Sequence, residues 1–256
     1  MPSLHFSESG KGFPIVFIHG FCETHEIWRE FTRPLANHFH VYALDLPGFG
    51  GTDLLPVPFS IDAVGDSVAQ WLVQNKISKC LIVGHSLGGY VALSLAVRHA
   101  ALIKAIGLFH STSFADTTEK KGTRNRVIDF VRNNGVPPYI DTFVPGLFYN
   151  KENPANHEVR RIALLTKQET LIAYAEAMRD RPDRTDILRN NEIIKFFISG
   201  RNDTMIPPET TRQLSEISQN CRFFELMAVG HMGLFEAKTE CQEIIRDFAA
   251  QLFRHN

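Results

Sequence analysis

Cys80-Leu81-Ile82-Val83-Gly84-His85-Ser86-Leu87-Gly88-Gly89 is the stretch on which the reading of this chain turns. An apolar run leads into a serine bracketed by glycines, and a helical apolar spacing follows from Tyr90 to His99. Gly84-His85-Ser86-Leu87-Gly88 fits Gly-x-Ser-x-Gly, the pattern of a sharp strand-to-helix turn that lifts a serine hydroxyl clear of a sheet. Such a turn also aims a helix N-terminus, with its unpaired N–H groups, at whatever meets the serine. Gly84 and Gly88 suit positions where strand and helix fold too closely together for a side chain. Five residues are a short pattern, so the surrounding chain has to decide what it means.

Upstream, Pro14-Ile15-Val16-Phe17-Ile18-His19 and His40-Val41-Tyr42-Ala43-Leu44-Asp45 are nearly continuous apolar runs. Each reads as a strand buried on both faces, as in a parallel sheet. The first closes on His19-Gly20, the second on the turn cluster Leu46-Pro47-Gly48-Phe49-Gly50-Gly51. Residues 3–9 read as a short edge strand. Helical spacing is predicted over 25–36, with Pro34 near its end, and over 60–75 behind the N-cap candidate Ser60. Downstream of the serine, Leu102 to Phe109 is another buried-looking strand. Strand and helix alternate, which is the signature of a parallel sheet with helices on both faces.

That alternation stops between 112 and 190. Charge rises there, no strand-like run occurs, and helical spacing is predicted over 123–134, 138–149, 155–166 and 168–180. The sheet pattern then resumes with Ile194–Gly200, a helix from about Pro207, the strand Cys221–Met227 and an amphipathic helix over 239–253. The expected organisation is therefore a core made of residues 1–111 and 191–256, interrupted by a helical cap over 112–190.

The 256 residues fit one large domain; 44% hydrophobic and 21% charged residues are ordinary for a soluble protein. A net charge of −1 supplies no electrostatic reason for a nucleic-acid or acidic-membrane partner. No run reaches the length of a membrane-spanning helix, and Met1-Pro2-Ser3-Leu4-His5-Phe6 lacks the charged-then-apolar pattern of a leader. Cys22, Cys80, Cys221 and Cys241 show no metal or redox spacing. They read as free thiols of a reducing compartment, and the expected location is the cytoplasm.

His19-Gly20-Phe21, Asp45-Leu46-Pro47-Gly48-Phe49-Gly50, Gly84-His85-Ser86-Leu87-Gly88-Gly89, Ser199-Gly200-Arg201-Asn202-Asp203 and Gly230-His231-Met232 each follow a predicted strand. All five would lie at the carboxyl edge of the sheet, where open parallel sheets bind ligands. With these motifs in this order the chain resembles the α/β-hydrolase family along nearly its whole length. The resemblance implies a doubly wound, mostly parallel sheet of the eight-stranded type carrying a helical cap. It also implies the order nucleophile Ser86, acid Asp203, base His231.

A serine hydroxyl needs a base to remove its proton, and His231 in its glycine-flanked loop is the candidate. A carboxylate then fixes the imidazole tautomer and stabilises the imidazolium, the role expected of Asp203. Asp116 is the rival acid, several residues beyond Phe109; Asp45 reads as a hydrogen-bonder within its own turn. The attacked carbonyl needs preorganised donors. The backbone N–H of Leu87 is one, and the resemblance places the other at Phe21. His19 is expected to brace that loop, Cys22 to be structural, and His85 either to line the pocket or to point away from it.

Serine at this position argues against the relatives that carry aspartate there and favours acyl transfer to water. The expectation is a serine hydrolase of carboxylic esters or lactones with small to medium, mostly apolar acyl groups, needing neither metal nor organic cofactor. Two other readings stand beside it. One is C–C bond hydrolysis, or a lyase or synthase step, with Arg124, Arg126, Arg160, Arg161, Arg179 and Arg181 as candidates to orient a carboxylate. The other is a ligand receptor on the same fold.

Overall fold

The structure, a computed structural model, describes residues 3–253; Met1 and Pro2, the start of the stretch read for a leader, lie outside the described residues. Seven strands form one sheet: β1 (Phe6–Ser9), β2 (Pro14–Ile18), β3 (His40–Leu44), β4 (Cys80–His85), β5 (Ile103–Phe109), β6 (Ile194–Gly200) and β7 (Cys221–Leu226). Their spatial order is β1-β3-β2-β4-β5-β6-β7. β1 runs antiparallel to β3, and the other pairings are parallel. Seven strands rather than eight form among the described residues, because the chain holds seven strand-like runs and the first of them is only an edge.

The helices are α1 (Arg29–Thr32), α2 (Ile61–Gln74), α3 (Leu87–Arg98), α4 (Thr118–Asn134), α5 (Val136–Phe143), α6 (Ala155–Ala163), α7 (Gln168–Asp180), α8 (Pro208–Ser215), α9 (Gly233–Glu236) and α10 (Lys238–Phe253). None is long and apolar enough to cross a membrane. All six residues of β4 and the last four of β2 and β3 are buried, as strands covered on both faces must be. The Ser60 side chain accepts from the Ala63 N–H at 3.1 Å and caps α2 as its sequence suggests.

The predicted helix over 25–36 breaks into a 3-10 turn at His25–Trp28, the single turn α1, and a second 3-10 turn at Leu35–Asn37. Pro34 has no N–H to continue the ladder, and it separates the last two. The helix expected from 123 starts earlier, because the Thr117 side chain caps it by accepting from the Lys120 N–H. Gly135, at φ 79°, ends α4 and starts α5, whose first turn holds Pro137 and Pro138. The segment expected to be helical to 149 ends at Phe143 and tightens into a 3-10 turn over Val144–Leu147. Lys195 lies fully buried within β6 and donates its ammonium to the carbonyls of Leu188 and Asn190.

The strand order positions the site. From β2 the chain steps one way to β3, then crosses back over β2 to β4 and continues the other way. The loops leaving β2 and β4 therefore diverge, opening a crevice at the carboxyl edge. Helices α4 to α7 lie between β5 and β6 in sequence and are tied to that edge. The His231 N–H donates to the Leu147 carbonyl at 2.7 Å, Thr170 Oγ1 donates to the Gly48 carbonyl at 3.1 Å, and Arg161 pairs with Glu26 at 2.6 Å.

Close approach of α3 to the sheet depends on two glycines. A Cβ on Gly84 would lie 2.3 Å from the Gly88 carbonyl carbon, and one on Gly88 would lie 2.3 Å from the Ile18 carbonyl oxygen. Both obstacles are backbone and cannot swing aside. Gly84→Ala and Gly88→Ala are each expected to destabilise by at least about 2 kcal/mol, overpacking a site with no room to relax. Urea unfolding should show this as a lower midpoint at an unchanged slope.

Candidate active site

Ser86 sits between β4 and α3 with φ 49° and ψ −111°, a conformation an L-residue adopts only under constraint. Holding it there costs on the order of 1–3 kcal/mol, which the surroundings must supply. Its N–H continues the sheet by donating to the Phe109 carbonyl at 2.9 Å, and its own carbonyl accepts from Ser111 Oγ at 2.7 Å and from the Gly89 N–H at 3.0 Å. Ser86 is half-buried at the wall of a cavity of about 340 Å³ that Phe21, His85 and His231 also line.

His231 follows β7 and Asp203 follows β6, so the parallel sheet delivers both to the same edge. His231 Nδ1 donates to Asp203 Oδ2 at 2.8 Å, with both residues buried. Asp203 Oδ1 accepts from the N–H groups of Met205 and Ile206, each at 2.9 Å. Burial by itself would raise the Asp203 pKa. The nearby His231 charge and the hydrogen bonds from two histidines outweigh it and hold the carboxyl well below the usual carboxylate range. Among the described residues Ser86 meets His231 across the shared cavity and not through a direct hydrogen bond; such contacts often close only when substrate is present.

The second histidine on Asp203 is His110, which the sequence reading did not single out. It lies fully buried just past β5 at φ 51°, with Nδ1 3.0 Å from Asp203 Oδ2. Its Nε2 faces the Gly233 N–H at 3.2 Å, and Nδ1 faces the Gly200 N–H at 3.3 Å as well as the carboxylate, toward which a proton on Nδ1 would be donated. A signal for it existed: it is a polar residue one step beyond an apolar run, at the strand edge that holds the other site residues. Glu23 was also missed, and nothing in Gly20-Phe21-Cys22-Glu23 marks it from its neighbours. It is buried, and its Oε2 accepts from the Gly20 N–H at 2.5 Å and from His85 Nδ1 at 3.0 Å. His85, whose direction the sequence left open, turns both ring nitrogens inward and places Nε2 2.9 Å from the His231 carbonyl oxygen.

Asp116 does not reach His231. It forms ion pairs with Arg181 at 2.7 Å and Arg124 at 3.2 Å instead. Arg124, Lys120 and Thr123 stand together on one face of α4 at the cavity wall. Arg181 stacks 3.8 Å over the Tyr90 ring. The other arginines considered as carboxylate ligands are engaged elsewhere: Arg160 with Asp141, Arg161 with Glu26 and Glu158, Arg179 with Asp180, and Arg126 with Thr123. His19 braces its loop as expected: Nδ1 donates to the Gly20 carbonyl at 2.8 Å, and Nε2 accepts from the Leu46 N–H at 3.0 Å. Cys22 is buried, and burial pushes its thiol far above the ordinary range, out of reach of a thiolate role.

Among the described residues, two groups of side chains are close enough to share a metal ion: His5, His25 and Asp45, and His110, Asp203 and His231. N–H donors already occupy the carboxylates in both. Asp45 accepts from His5 Nδ1, from the His25 ring and N–H, and from the Gly51 N–H, all within 3.0 Å, and so holds the turn after β3 together. Short hydrogen bonds account for both clusters.

A parallel sheet that gathers a strained serine, a histidine and a buried carboxylate at one edge fits an alpha/beta hydrolase. Residues 15–242 match the model of the alpha/beta hydrolase family, and the chain belongs to that family. It is 25% identical to a pimeloyl-[acyl-carrier protein] methyl ester esterase of Vibrio cholerae, over 97% of this chain and 99% of the relative. It is also 25% identical to a 2-hydroxy-6-oxo-6-(2'-aminophenyl)hexa-2,4-dienoic acid hydrolase of Metapseudomonas resinovorans, over 90% of this chain and 82% of that one. Among solved structures, a malate-bound thermophilic esterase from Thermogutta terrifontis superposes with a TM-score of 0.91 at 26% identity, covering 97% of this chain and 93% of that one.

His110 gives the site a pH-dependent stability. Burial pushes its pKa from 6.5 down to about 4, against the upward pull of Asp203. Between those values the unfolded chain binds the proton and the folded chain does not, so stability falls as the pH is lowered through that window. At about 1.4 kcal/mol per unit the loss amounts to about 3 kcal/mol. Burial lowers His19 in the same sense. The thermal midpoint should drop between pH 6.5 and pH 4, and His110→Asn, which keeps a donor toward Asp203, should flatten that slope without abolishing it.

Proposed function

We propose that the protein is a serine hydrolase of carboxylic esters, lactones included. Ser86 Oγ attacks the ester carbonyl carbon while His231 Nε2 takes its proton. Asp203 keeps Nδ1 of His231 protonated and stabilises the imidazolium. The carbonyl oxygen becomes an oxyanion held by the N–H groups of Leu87, in the open first turn of α3, and of Phe21. The tetrahedral adduct collapses, His231 returns the proton to the leaving alkoxide, and an alcohol departs from an acyl-Ser86 ester. Water, deprotonated by His231, then attacks that ester, and the carboxylic acid leaves as Ser86 recovers its proton.

One observation carries this reading: the 2.8 Å His231–Asp203 hydrogen bond beside a cavity that the strained Ser86 also lines. Apolar walls from Val127, Phe143, Leu147, Met178 and Ile206 suit an apolar acyl group. We assign residues 112–190 to a cap that shapes this cavity, since α4 and α5 supply much of its wall. Its free cysteines fit a cytoplasmic setting.

Lys120 and Arg124 favour a second reading on the same groups, in which an acidic substrate docks its carboxylate against α4 and a C–C bond is hydrolysed. The dienoic acid hydrolase among the relatives supports that possibility, and the two ester hydrolases support the first.

Four measurements decide. Ser86→Ala should lose at least about 1,000-fold in kcat on p-nitrophenyl esters, and an organophosphonate should label Ser86 and no other residue; full activity in Ser86→Ala would end the proposal. Across p-nitrophenyl acetate to octanoate, turnover should favour short to medium chains. Arg124→Met should raise KM about tenfold for esters bearing a terminal carboxylate and leave neutral esters unchanged; equal effects on both would remove the acidic-substrate reading.

A further inference from the structure

Glu23, His85 and His231 come from three different strand ends and meet in the wall of the cavity. The Glu23 and His85 side chains are 3% and 1% exposed. Glu23 Oε2 accepts from both the Gly20 N–H and His85 Nδ1, and His85 Nε2 faces the His231 carbonyl oxygen. Both neighbours of the His85 ring are thus acceptors: a carboxylate and a backbone carbonyl. A neutral imidazole has one N–H and would turn a lone pair on one of them. Only the imidazolium donates to both.

We propose that Glu23 and His85 form a buried positioning pair, in which the doubly protonated His85 ring ties the loop carrying the Gly20–Phe21 amides to the backbone of His231. The assignment rests on the hydrolase reading for what is being positioned. With the Gly20 N–H committed to Glu23, the next amide along, Phe21, is left for the oxyanion. With the His231 carbonyl held, the base loop is anchored on the opposite side of Ser86. Removing two charges from water costs several kcal/mol per ion, so packing alone gives no reason to keep the pair.

The surroundings agree. Burial alone would lower His85, but the Glu23 charge and hydrogen bond, aided by the His231 carbonyl and Asp203, outweigh it and hold the ring above its ordinary value. Burial alone would raise Glu23, but His85, the Gly20 N–H and His19 hold it low. The other titratable groups facing His85 are the rings of His231 and His110, at centroid distances of 5.2 and 6.0 Å.

Because both donors share one carboxylate oxygen, Glu23→Gln can keep both hydrogen bonds through its amide oxygen and remove only the charge. His85 then loses its proton at lower pH, and its ring turns a lone pair on the His231 carbonyl. The alkaline limb of kcat/KM on a p-nitrophenyl ester should move down by about 1–3 pH units. An alkaline limb identical to that of the unaltered protein would overturn the pair's role.

His85→Asn keeps a donor toward Glu23 and loses the one toward His231; kcat should fall about 10- to 100-fold with KM within about twofold. The state of the ring is read without activity. With 15N-labelled histidine, NMR at pH 7 should show both His85 ring nitrogens protonated in the unaltered protein, and one in Glu23→Gln. A neutral His85 in the unaltered protein would overturn the proposal even if every ester tested were a substrate. Absence of all ester turnover would instead defeat the hydrolase reading and leave the NMR result to decide the pair.

Discussion

Ser86 is held at φ 49° between a buried strand and a buried helix, and most of the site follows from that one strained residue. The conformation is unfavourable by itself, so it persists only because its amide is locked into the β5 ladder and α3 is packed hard against β2. Gly84 and Gly88 make that approach possible. The strain turns the hydroxyl out of the sheet plane, and the open first turn of α3 brings unpaired N–H groups to the same place. The position of the serine hydroxyl and the open N–H groups beside it are thus consequences of one turn.

The other groups arrive by topology. Parallel strands all present their carboxyl ends at one edge, so loops distant in sequence become neighbours there. The loop after β2 brings Glu23, that after β5 brings His110, and those after β6 and β7 bring Asp203 and His231. These residues form two chains of hydrogen bonds. One runs from His110 through Asp203 to the His231 ring, the other from Gly20 through Glu23 and His85 to the His231 carbonyl. His231 is the junction, its ring set by one chain and its backbone by the other. Such fully connected buried networks hold geometry more tightly than isolated contacts.

Much of this was legible in the chain. Apolar runs ending in small or polar residues marked the strands, because a strand covered on both faces must be apolar throughout. The places of Ser86, Asp203 and His231 past the fourth, sixth and seventh strands were readable for the same reason, and the family resemblance supplied the order of their expected roles. Short-range effects blurred the rest. Pro34 broke a helix that periodicity alone would continue, Thr117 started one earlier than its apolar spacing suggests, and the run around Lys195 concealed a buried ammonium satisfied by carbonyls several residues away.

The sequence by itself determined the sheet class, the elbow and the identities of the nucleophile, acid and base candidates, since each depends on a local pattern or on position relative to a strand. Only the tertiary structure shows what Asp203 and Asp116 touch, because both carboxylates follow predicted strands and differ in their partners: histidines in one case, arginines in the other. It alone showed His110 and Glu23, whose roles rest on partners 93 and 62 residues away. It alone gave His85 a direction. A side chain's hydrogen-bond partners depend on which strand ends lie side by side, and strand order is a property of the folded sheet that no local pattern carries.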